Sequence, residues 1–413
     1  MQEVVVERLF DADIVEDPYP YYAGLRDKDP VHQVEGTNAF LVASADLIQE
    51  VVSDPDTYSS QSASFLFRSA HGEVGLRPAG AGDEFARGIP GVLATADPPD
   101  HGRQRKVLTR LFSSSALARR EQEFRVLIDA NLDSHLGHGH IEWMRTVAEP
   151  LPMVMVARIL GLPDSDAPTL KEYGFAGVEQ INGFASQERC DEIRDRLFDL
   201  GPMGEAYAKA LTGLGPGDDT VIGACARAVH DSVLNDIEAL SILTLVTIAG
   251  GESTTSLLGT GAYLLARDEM LQDRLRSQPA LLSRFVEEAC RFDPPFRGHY
   301  RQTTRATTLN GVAIPAGAHV VLMWPSANRD HSHFTRPGEI DVDRPSPRRH
   351  FGFGWGIHLC IGAPLARLEA RVAFERLLAR TSRLSLQETE SGLRHHLSLM
   401  VRRFIELPLV LHR

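Results

Sequence analysis

The stretch 351-FGFGWGIHLCIG-362 places a single cysteine, Cys360, between a glycine-rich run and an apolar helical pattern. Glycine occupies every second position from 352 to 356, and glycine permits the tight or left-handed backbone of a closed loop. Pro364 then suits the first turn of a helix. A cysteine at a helix N-terminus lies near unpaired backbone N–H groups, so we expect the pKa of the Cys360 thiol to be lowered.

The other cysteines bear on how Cys360 is interpreted. The chain contains four cysteines, which are widely spaced and form no CxxC pair: Cys190, Cys225, Cys290 and Cys360. A disulfide framework or a zinc site is therefore not expected. For an isolated cysteine, the simpler interpretation is a buried structural residue in a glycine-rich turn.

The spacing around Cys360 favours a different interpretation. At every fixed position the segment resembles the haem-ligand signature of the cytochrome P450 family, with Phe353, Gly354, Gly356, His358, Cys360 and Gly362 as the matching residues. The resemblance implies that Cys360 is the thiolate ligand of the iron in heme b (iron protoporphyrin IX). It also implies that Phe353 covers the sulfur and that Gly354 and Gly362 let the loop lie flat against the porphyrin. A thiolate ligand favours O–O bond cleavage.

Further landmarks of the family occur upstream in the same order. Glu288-x-x-Arg291 lies on a predicted helix, which places both side chains on one face, and 341-DVDR-344 follows it. The resemblance implies that Glu288, Arg291 and Arg344 form a buried ionic network that fixes the cysteine loop. Ile340 stands where the family usually has phenylalanine, and we expect this difference to alter local packing only.

The segment 97-DPPDHGRQR-105 opens a predicted helix and places His101 and Arg105 four residues apart. On its own it would indicate a helix start with a charged surface. The resemblance assigns His101 and Arg105 to the haem propionates, together with Arg301 and His358.

A second face of this helix carries a basic stripe, which we define as Arg103, Lys106 and Arg110. The stripe suits docking of an acidic electron donor, although it could equally be a solvated surface.

The stretch 245-LVTIAGGESTTSLLG-259 puts two glycines and a carboxylate into a long apolar helix. It resembles the distal-helix motif of the family, with Ser253 in place of the first threonine. The resemblance implies that Ala249 and Gly250 leave room for haem and dioxygen. Ser253 would bond back to a carbonyl one turn earlier and, with Glu252 behind it, pass protons to bound oxygen. The alternative is a helix–helix contact through small residues, with Glu252 paired to an arginine.

The hydrophobic pattern predicts a mainly α fold with small β-sheets in one domain, residues 1–413. The resemblance implies the cytochrome P450 fold, with haem between a long distal helix and the proximal cysteine-loop helix. The irregular segment 60–96 is expected to be a functional loop. Helices are predicted over about 103–136, 153–161, 166–177, 187–211, 236–267, 279–292 and 363–380, and strands over 40–43, 319–324, 397–404 and 408–411.

Charge and hydrophobicity along the chain bear on the partners and the location of the protein. The net charge of −12 argues against nucleic acid as a partner. No stretch reaches the roughly 18 apolar residues of a membrane span, and the N-terminus does not resemble a secretory signal. We expect a cytoplasmic monomer.

The resemblance implies a bacterial-type haem-thiolate monooxygenase. Such an enzyme inserts one oxygen atom of O2 into a hydrophobic small molecule, for example a terpenoid, steroid, fatty-acyl or aromatic compound. It takes electrons from a ferredoxin or flavodoxin with an NAD(P)H-dependent reductase. The alternatives are a haem-thiolate peroxygenase or isomerase, or a non-catalytic haem ligand sensor.

The resemblance implies that the substrate pocket is lined by the loop 60–96, the helices of 166–211, Val246, Phe296 and Leu399. Arg297 and His299 could recognise a substrate carboxylate, but a surface or propionate-binding role is the stronger expectation.

Overall fold

The computed structural model describes residues 6–62, 64–78, 91–388 and 392–412. Within these ranges the chain is mainly helical with small sheets, as predicted. The helices are α1 Ala12–Glu16, α2 Tyr19–Lys28, α3 Ala45–Ser53, α4 Asp100–Thr109, α5 Ser114–Leu136, α6 Pro150–Leu160, α7 Ala167–Gln180, α8 Gln187–Phe198, α9 Gly201–Leu211, α10 Val221–His230, α11 Asp236–Arg267, α12 Glu269–Ser277, α13 Leu282–Phe292, α14 Trp324–Ala327 and α15 Ala363–Arg380.

The strands form one larger sheet and three small ones. The larger sheet has the order β1-β2-β10-β7-β3 and joins strands from both halves of the chain; the others are β11-β12-β6, β4-β5 and β8-β9. The strands are β1 Val31–Gln33, β2 Ala39–Val42, β3 Tyr58–Ser59, β4 Ser64–Arg68, β5 Val74–Pro78, β6 His140–Glu142, β7 His299–Thr303, β8 Thr307–Leu309, β9 Val312–Ile314, β10 His319–Leu322, β11 Arg383–Leu386 and β12 Pro408–His412.

Helix α11 is the central element of the fold. It runs unbroken for 32 residues and begins at a capping box, in which Asn235 and Glu238 each accept a hydrogen bond from the other's backbone N–H. It packs against α6, α7 and α15. Because neighbouring helices cover it on several sides, α11 is apolar around most of its surface.

The structure differs from the predicted elements at several boundaries. The predicted helix over 103–136 is divided at Ser113, whose extended backbone and side-chain acceptor begin α5 as an N-cap. The predicted helix over 187–211 is divided before Gly201, which has a φ of +47°. The prediction of a strand over 397–404 was wrong, since only isolated bridges occur there, at Val401 and Phe404.

The segment 60–96 is more regular than its composition suggested. It contains the β4–β5 hairpin and a short 3₁₀ turn at Leu93–Thr95. The part of the predicted functional loop over 79–90 lies outside the described residues. Shorter helices that the hydrophobic pattern did not reveal are α1, α2, α3, α10, α12 and α14. In the parts of the chain that the structure describes, no helix has the length and apolarity needed to cross a membrane.

Candidate functional site

The cysteine loop is a tight structure that ends in α15. The backbone N–H of Cys360 donates to the Phe353 carbonyl at 2.9 Å. Gly354 and Gly356 have φ values of +74° and +70°, a left-handed conformation that favours glycine. The side chain of Cys360 has accessible surface although the residue lies deep in the protein. The loop therefore presents the sulfur to an internal space.

The prediction of a lowered thiol pKa was wrong in its net direction. Burial raises the pKa of Cys360, and the backbone N–H groups of Gly362 and Ala363 lower it only in part. Desolvation of a thiolate outweighs the first turn of one helix. A bound metal cation would reverse this balance, because a coordinating thiol loses its proton.

The outer side of the loop is held by Glu287, which sequence reasoning missed. Glu287 accepts hydrogen bonds from Arg367 at 2.7 and 3.0 Å and from His350 Nε2 at 3.0 Å. The guanidinium of Arg367 lies 4.2 Å from the Phe353 ring centroid. Burial opposes ionisation of Glu287, but the two hydrogen-bonded partners outweigh it and hold its pKa below the usual value. The glutamate thereby fixes the aromatic residue that precedes the sulfur.

The predicted ionic network behind the loop is present in full. Glu288 accepts from Arg291 Nε at 2.8 Å and from Arg344 Nε at 2.9 Å, and all three residues are buried. The backbone N–H of Asp341 also donates to Glu288, at 2.9 Å. The two arginines bind backbone carbonyls between residues 328 and 339. The network therefore fastens this connecting segment to α13.

Four basic residues predicted for the propionates come together on one side of the cysteine loop. The rings of His101 and His358 lie 4.3 Å apart between centroids, and Arg301 and Arg105 both influence the pKa of His358. Burial lowers the pKa of Arg301 to about 10, while Asp97 opposes that shift. Such a cluster of donors suits a group that carries two carboxylates.

His358 provides the most direct sign that this cluster is built to bind a ligand. Its Nε2 lies 2.9 Å from Ser60 Oγ, whereas its buried Nδ1 has no hydrogen-bond partner among the described residues. A buried polar atom left unpaired costs about 1–3 kcal/mol. A haem propionate would supply the missing partner, so the residues present fit the cofactor that the resemblance implies.

On the distal helix, Ser253 bonds back as predicted. Its Oγ donates to the Ala249 carbonyl at 2.8 Å. Gly250 and Gly251 also have a packing function that the sequence did not predict. A Cβ at Gly250 would lie 2.7 Å from Val156 Cγ2, and one at Gly251 would lie 2.0 Å from Met153 Sδ. The glycines let α11 approach α6 closely.

Glu252 forms the arginine pair that was the alternative interpretation of this motif. Its Oε1 accepts from Arg403 Nε at 3.1 Å, Arg403 also donates to Glu149 at 3.0 Å, and Lys171 Nζ donates to Glu149 at 2.6 Å. We call these four residues the distal ionic chain. Oε2 of Glu252 is buried with no partner among the described residues. Burial raises the pKa of Glu252 to about 7, with Arg403 opposing.

The basic stripe on α4 is only partly available to a partner. Arg103 is engaged by Glu238 at 2.5 and 3.2 Å and by Asp100 at 2.8 Å. Lys106 is exposed, and so is Arg110, which donates to the backbone carbonyl of Asp218. Arg103 therefore serves to join α4 to the start of α11.

The predicted pocket residues lie in apolar surroundings, whereas the two basic residues near them make specific hydrogen bonds. Phe296 and Leu399 pack in the same apolar cluster, and Val246 packs against the main core. Arg297 is buried and donates to the Val15 carbonyl at the end of α1, so it holds that helix end. His299 instead accepts a hydrogen bond from Trp324.

Comparison with known proteins agrees with this geometry. The family profile described as Cytochrome P450 matches residues 220–402. Cytochrome P450 144 of Mycobacterium tuberculosis is 35% identical over 404 residues, which cover 97% of this chain and 90% of that protein. The erythromycin C-12 hydroxylase of Saccharopolyspora erythraea is 32% identical over 376 residues, covering 90% and 89% of the two chains.

Solved structures show the same architecture. The crystal structure of CalO2 aligns with a TM-score of 0.84 at 26% identity and covers 98% of each chain. A mutant of P450 EryK in complex with erythromycin B aligns with a TM-score of 0.82 at 29% identity and covers 97% of each chain. The chain belongs to the cytochrome P450 family.

Proposed function

We propose that this enzyme inserts one oxygen atom of O2 into an apolar small molecule and receives its electrons from a separate donor protein. Its cofactor is haem, and the family and its named relatives identify it as a monooxygenase. When bound, haem supplies the iron centre at which dioxygen is activated. The observation that carries the proposal is that a hydroxyl residue, Ser253, and a buried, titratable carboxyl residue, Glu252, follow each other in the distal helix.

Haem would be held by the residues that surround the cysteine loop. Cys360 would ligate the iron, with Phe353 over the sulfur and Gly354 and Gly362 in the backbone that lies against the ring. Arg105, Arg301, His101 and His358 would bind the propionates. The unpaired Nδ1 of His358 and the clustering of these basic side chains support this assignment. Ala249, which accepts the Ser253 hydrogen bond, would lie beside the distal face.

Ser253 and Glu252 would act on protons. The Ser253 hydroxyl can donate and accept at once, so it can pass a proton while its oxygen stays near the Ala249 carbonyl. A carboxyl group with a pKa of about 7 exchanges its proton readily at neutral pH. The distal ionic chain runs from Glu252 to Lys171, whose side chain is 35% exposed. It therefore gives Glu252 a polar connection toward the surface of α7.

This arrangement argues against the other haem-thiolate functions. A non-catalytic ligand sensor has no need for a hydroxyl and a titratable carboxyl next to the ligand. A peroxygenase or isomerase does not depend on protons delivered to bound dioxygen. The cost of burying Glu252 with one oxygen unpaired is understandable if that oxygen exchanges a proton during turnover.

For the substrate, we propose a large hydrophobic molecule. The residues assigned to the pocket, among them Val246, Phe296 and Leu399, are apolar. Relatives include the erythromycin C-12 hydroxylase and the cyclomarin C epoxidase CymV, and a solved structure of CYP267B1 contains myristic acid. Macrolides and fatty acids therefore belong in a first substrate screen, beside terpenoids, steroids and aromatic compounds.

For the electron donor, we propose a ferredoxin or flavodoxin that docks on Lys106 and Arg110 and is reduced by an NAD(P)H-dependent reductase. Both side chains are exposed on or beside the helix that carries Arg105. Residues 1–413 would form a single domain, because in the larger sheet β2 pairs with β10 and β3 pairs with β7.

The test is a reconstituted assay with haem-loaded protein, a generic ferredoxin, its reductase and NADPH. We expect substrate-dependent NADPH consumption and an oxygenated product that carries 18O from 18O2. Product formation that needs only peroxide would indicate a peroxygenase. Haem binding with no turnover across the substrate screen would favour a sensor.

A further inference from the structure

A hydrogen bond from Trp324 to His299, beside the basic cluster, determines which ring nitrogen of His299 carries the proton. Trp324 Nε1 lies 2.6 Å from His299 Nδ1. The indole N–H can only donate, so His299 Nδ1 must accept and carry no proton. In its neutral form the imidazole then bears its single proton on Nε2. Trp324 is 2% exposed, and a buried indole N–H needs a partner.

Packing holds both rings in place. His299 is the first residue of β7 and pairs with Leu322 of β10, and Trp324 follows Leu322 by two residues. The Trp324 ring lies nearly parallel to that of Phe351, at 10° and 6.1 Å between centroids. Phe351 is fully buried at the start of the cysteine loop. The donor that sets the tautomer is therefore built into the core beneath that loop.

His299 and Arg301 lie two residues apart in β7, so their side chains project from the same face of the sheet. Burial, followed by the positive charge of Arg301, lowers the pKa of His299 to about 4, so the ring is neutral at physiological pH. His299 in turn influences the pKa of His358, as Arg301 and His101 do. Arg301, His101 and His358 are the residues proposed to bind the propionates.

We infer that Trp324 is a positioning residue that locks His299 as its Nε2–H tautomer, so that His299 donates a hydrogen bond to a haem propionate. The inference rests on the proposed haem site. It builds on the propionate-binding role that the sequence favoured for His299 over recognition of a substrate carboxylate, and it adds Trp324 as the residue that sets the tautomer. A ring in the other tautomer would present a lone pair to an anion, which is repulsive. Trp324 therefore decides whether His299 attracts or repels the propionate.

The first experiment determines the tautomer of His299 in the parent protein. The haem-loaded protein, with 15N-labelled histidine, is studied by NMR as its diamagnetic ferrous carbon-monoxide complex, and the His299 signals are identified by their loss in His299→Leu. We expect 15N shifts of a neutral ring protonated at Nε2. An Nδ1–H tautomer or a charged ring would overturn the inference, while the carbon-monoxide spectrum itself reports independently on the haem site.

The second experiment measures haem transfer to apomyoglobin and the ferric–ferrous midpoint potential. His299→Leu should speed haem loss about tenfold, as expected for a lost hydrogen bond to a charged group, and should lower the potential because the propionate keeps more negative charge. Trp324→Phe should speed haem loss by roughly two- to fivefold, because only a fraction of the rings then holds the competent tautomer.

A double-mutant cycle separates positioning from general damage. In the His299→Leu background, Trp324→Phe should add nothing to haem loss or to the potential. The matched control is Trp143→Phe, which removes another buried indole donor, bonded to the Leu258 carbonyl at 3.0 Å. It should lower thermal stability but leave the potential unchanged. Additive effects of Trp324→Phe and His299→Leu, or an equal potential shift in Trp143→Phe, would overturn the inference.

Discussion

Arg403 Nε lies 3.1 Å from Glu252 Oε1 and joins the distal helix to the segment before β12. The arginine is shared, because its other nitrogen binds Glu149 at 3.0 Å. Its charge opposes the desolvation of Glu252 without cancelling it, and the pKa of the carboxyl rises to about 7. The free-energy cost of burying the Glu252 carboxylate in the helix is thus partly offset by Arg403, which lies 151 residues away in the chain.

A pH dependence follows from the Glu252 pKa. The carboxyl is a proton donor below about pH 7 and a carboxylate above it. Product formed per NADPH should therefore fall in the wild-type protein as the pH rises through 7. Glu252→Gln cannot titrate, so its turnover should be slower and should lack this step. Persistence of the step near pH 7 in Glu252→Gln would assign it to another group.

The same shift affects stability. The folded-state pKa of Glu252 lies above its ordinary value of 4.5, so the folded protein holds this proton more tightly than the unfolded chain. The stability cost of the carboxylate grows as the pH rises from about 4.5 to 7 and is fully present above that. Urea unfolding of Glu252→Gln should show a weaker loss of stability across this range than the parent.

Replacement of Cys360 tests the metal ligand. Cys360→Ser should abolish the red-shifted absorption band of the ferrous carbon-monoxide complex, because a thiolate ligand produces it. The control is Cys290→Ala. The Cys290 thiol is fully buried behind the loop, where a Cβ at Gly352 would come within 2.5 Å of it. This control should keep the band and lose only some stability. The reverse pattern in folded proteins would make the Cys360 assignment wrong.

The Glu288 network predicts a large structural effect. Glu288→Gln leaves Arg291 and Arg344 buried with too little negative charge, which typically costs about 3–5 kcal/mol. We expect a corresponding loss of unfolding free energy in urea and reduced haem content in purified protein. Arg336→Ala is the matched control, since its ion pair with Glu339 is largely exposed and should contribute less than about 1 kcal/mol. Equal effects of the two substitutions would contradict a buried network.

Two basic residues of α4 are expected to have different roles: Lys106 in docking of the electron donor and Arg103 in a structural ion pair. Lys106→Glu should slow the first electron transfer from ferredoxin, and the effect should shrink at high salt because exposed charges are screened. Arg103→Glu should mainly destabilise the protein, because it places a second carboxylate beside Glu238. Stopped-flow reduction at several salt concentrations, with thermal unfolding in parallel, measures both. Salt-independent reduction of the parent would rule out this docking surface.

Some residues of the site could be predicted from the sequence and others could not. The cysteine loop could be predicted because its ligand, glycines and aromatic residue lie within ten positions. The Glu288 network could be predicted only through the family resemblance, since one such pair is common on helix surfaces. The partners of Arg103 and Glu252 could not be predicted, because Glu238 and Arg403 are distant in sequence and carry no local pattern. Glu287 and Trp324 were missed for the same reason.

Replacement of Ser253 tests whether the distal helix delivers protons or serves only in packing. Its Oγ hydrogen bond to the Ala249 carbonyl is 2.8 Å long, while the helix remains continuous. Ser253→Ala removes the hydroxyl but leaves Gly250, Gly251 and the Glu252–Arg403 pair in place. Haem content and substrate-induced spectral change should be unchanged, but electrons should be diverted to hydrogen peroxide.

Ser253→Thr restores the hydroxyl with a stiffer rotamer, and its yield of product per NADPH should match or exceed that of the parent. These outcomes are measured as product and peroxide per NADPH. Undiminished product in Ser253→Ala would mean that the small residues of this helix serve packing against α6 alone.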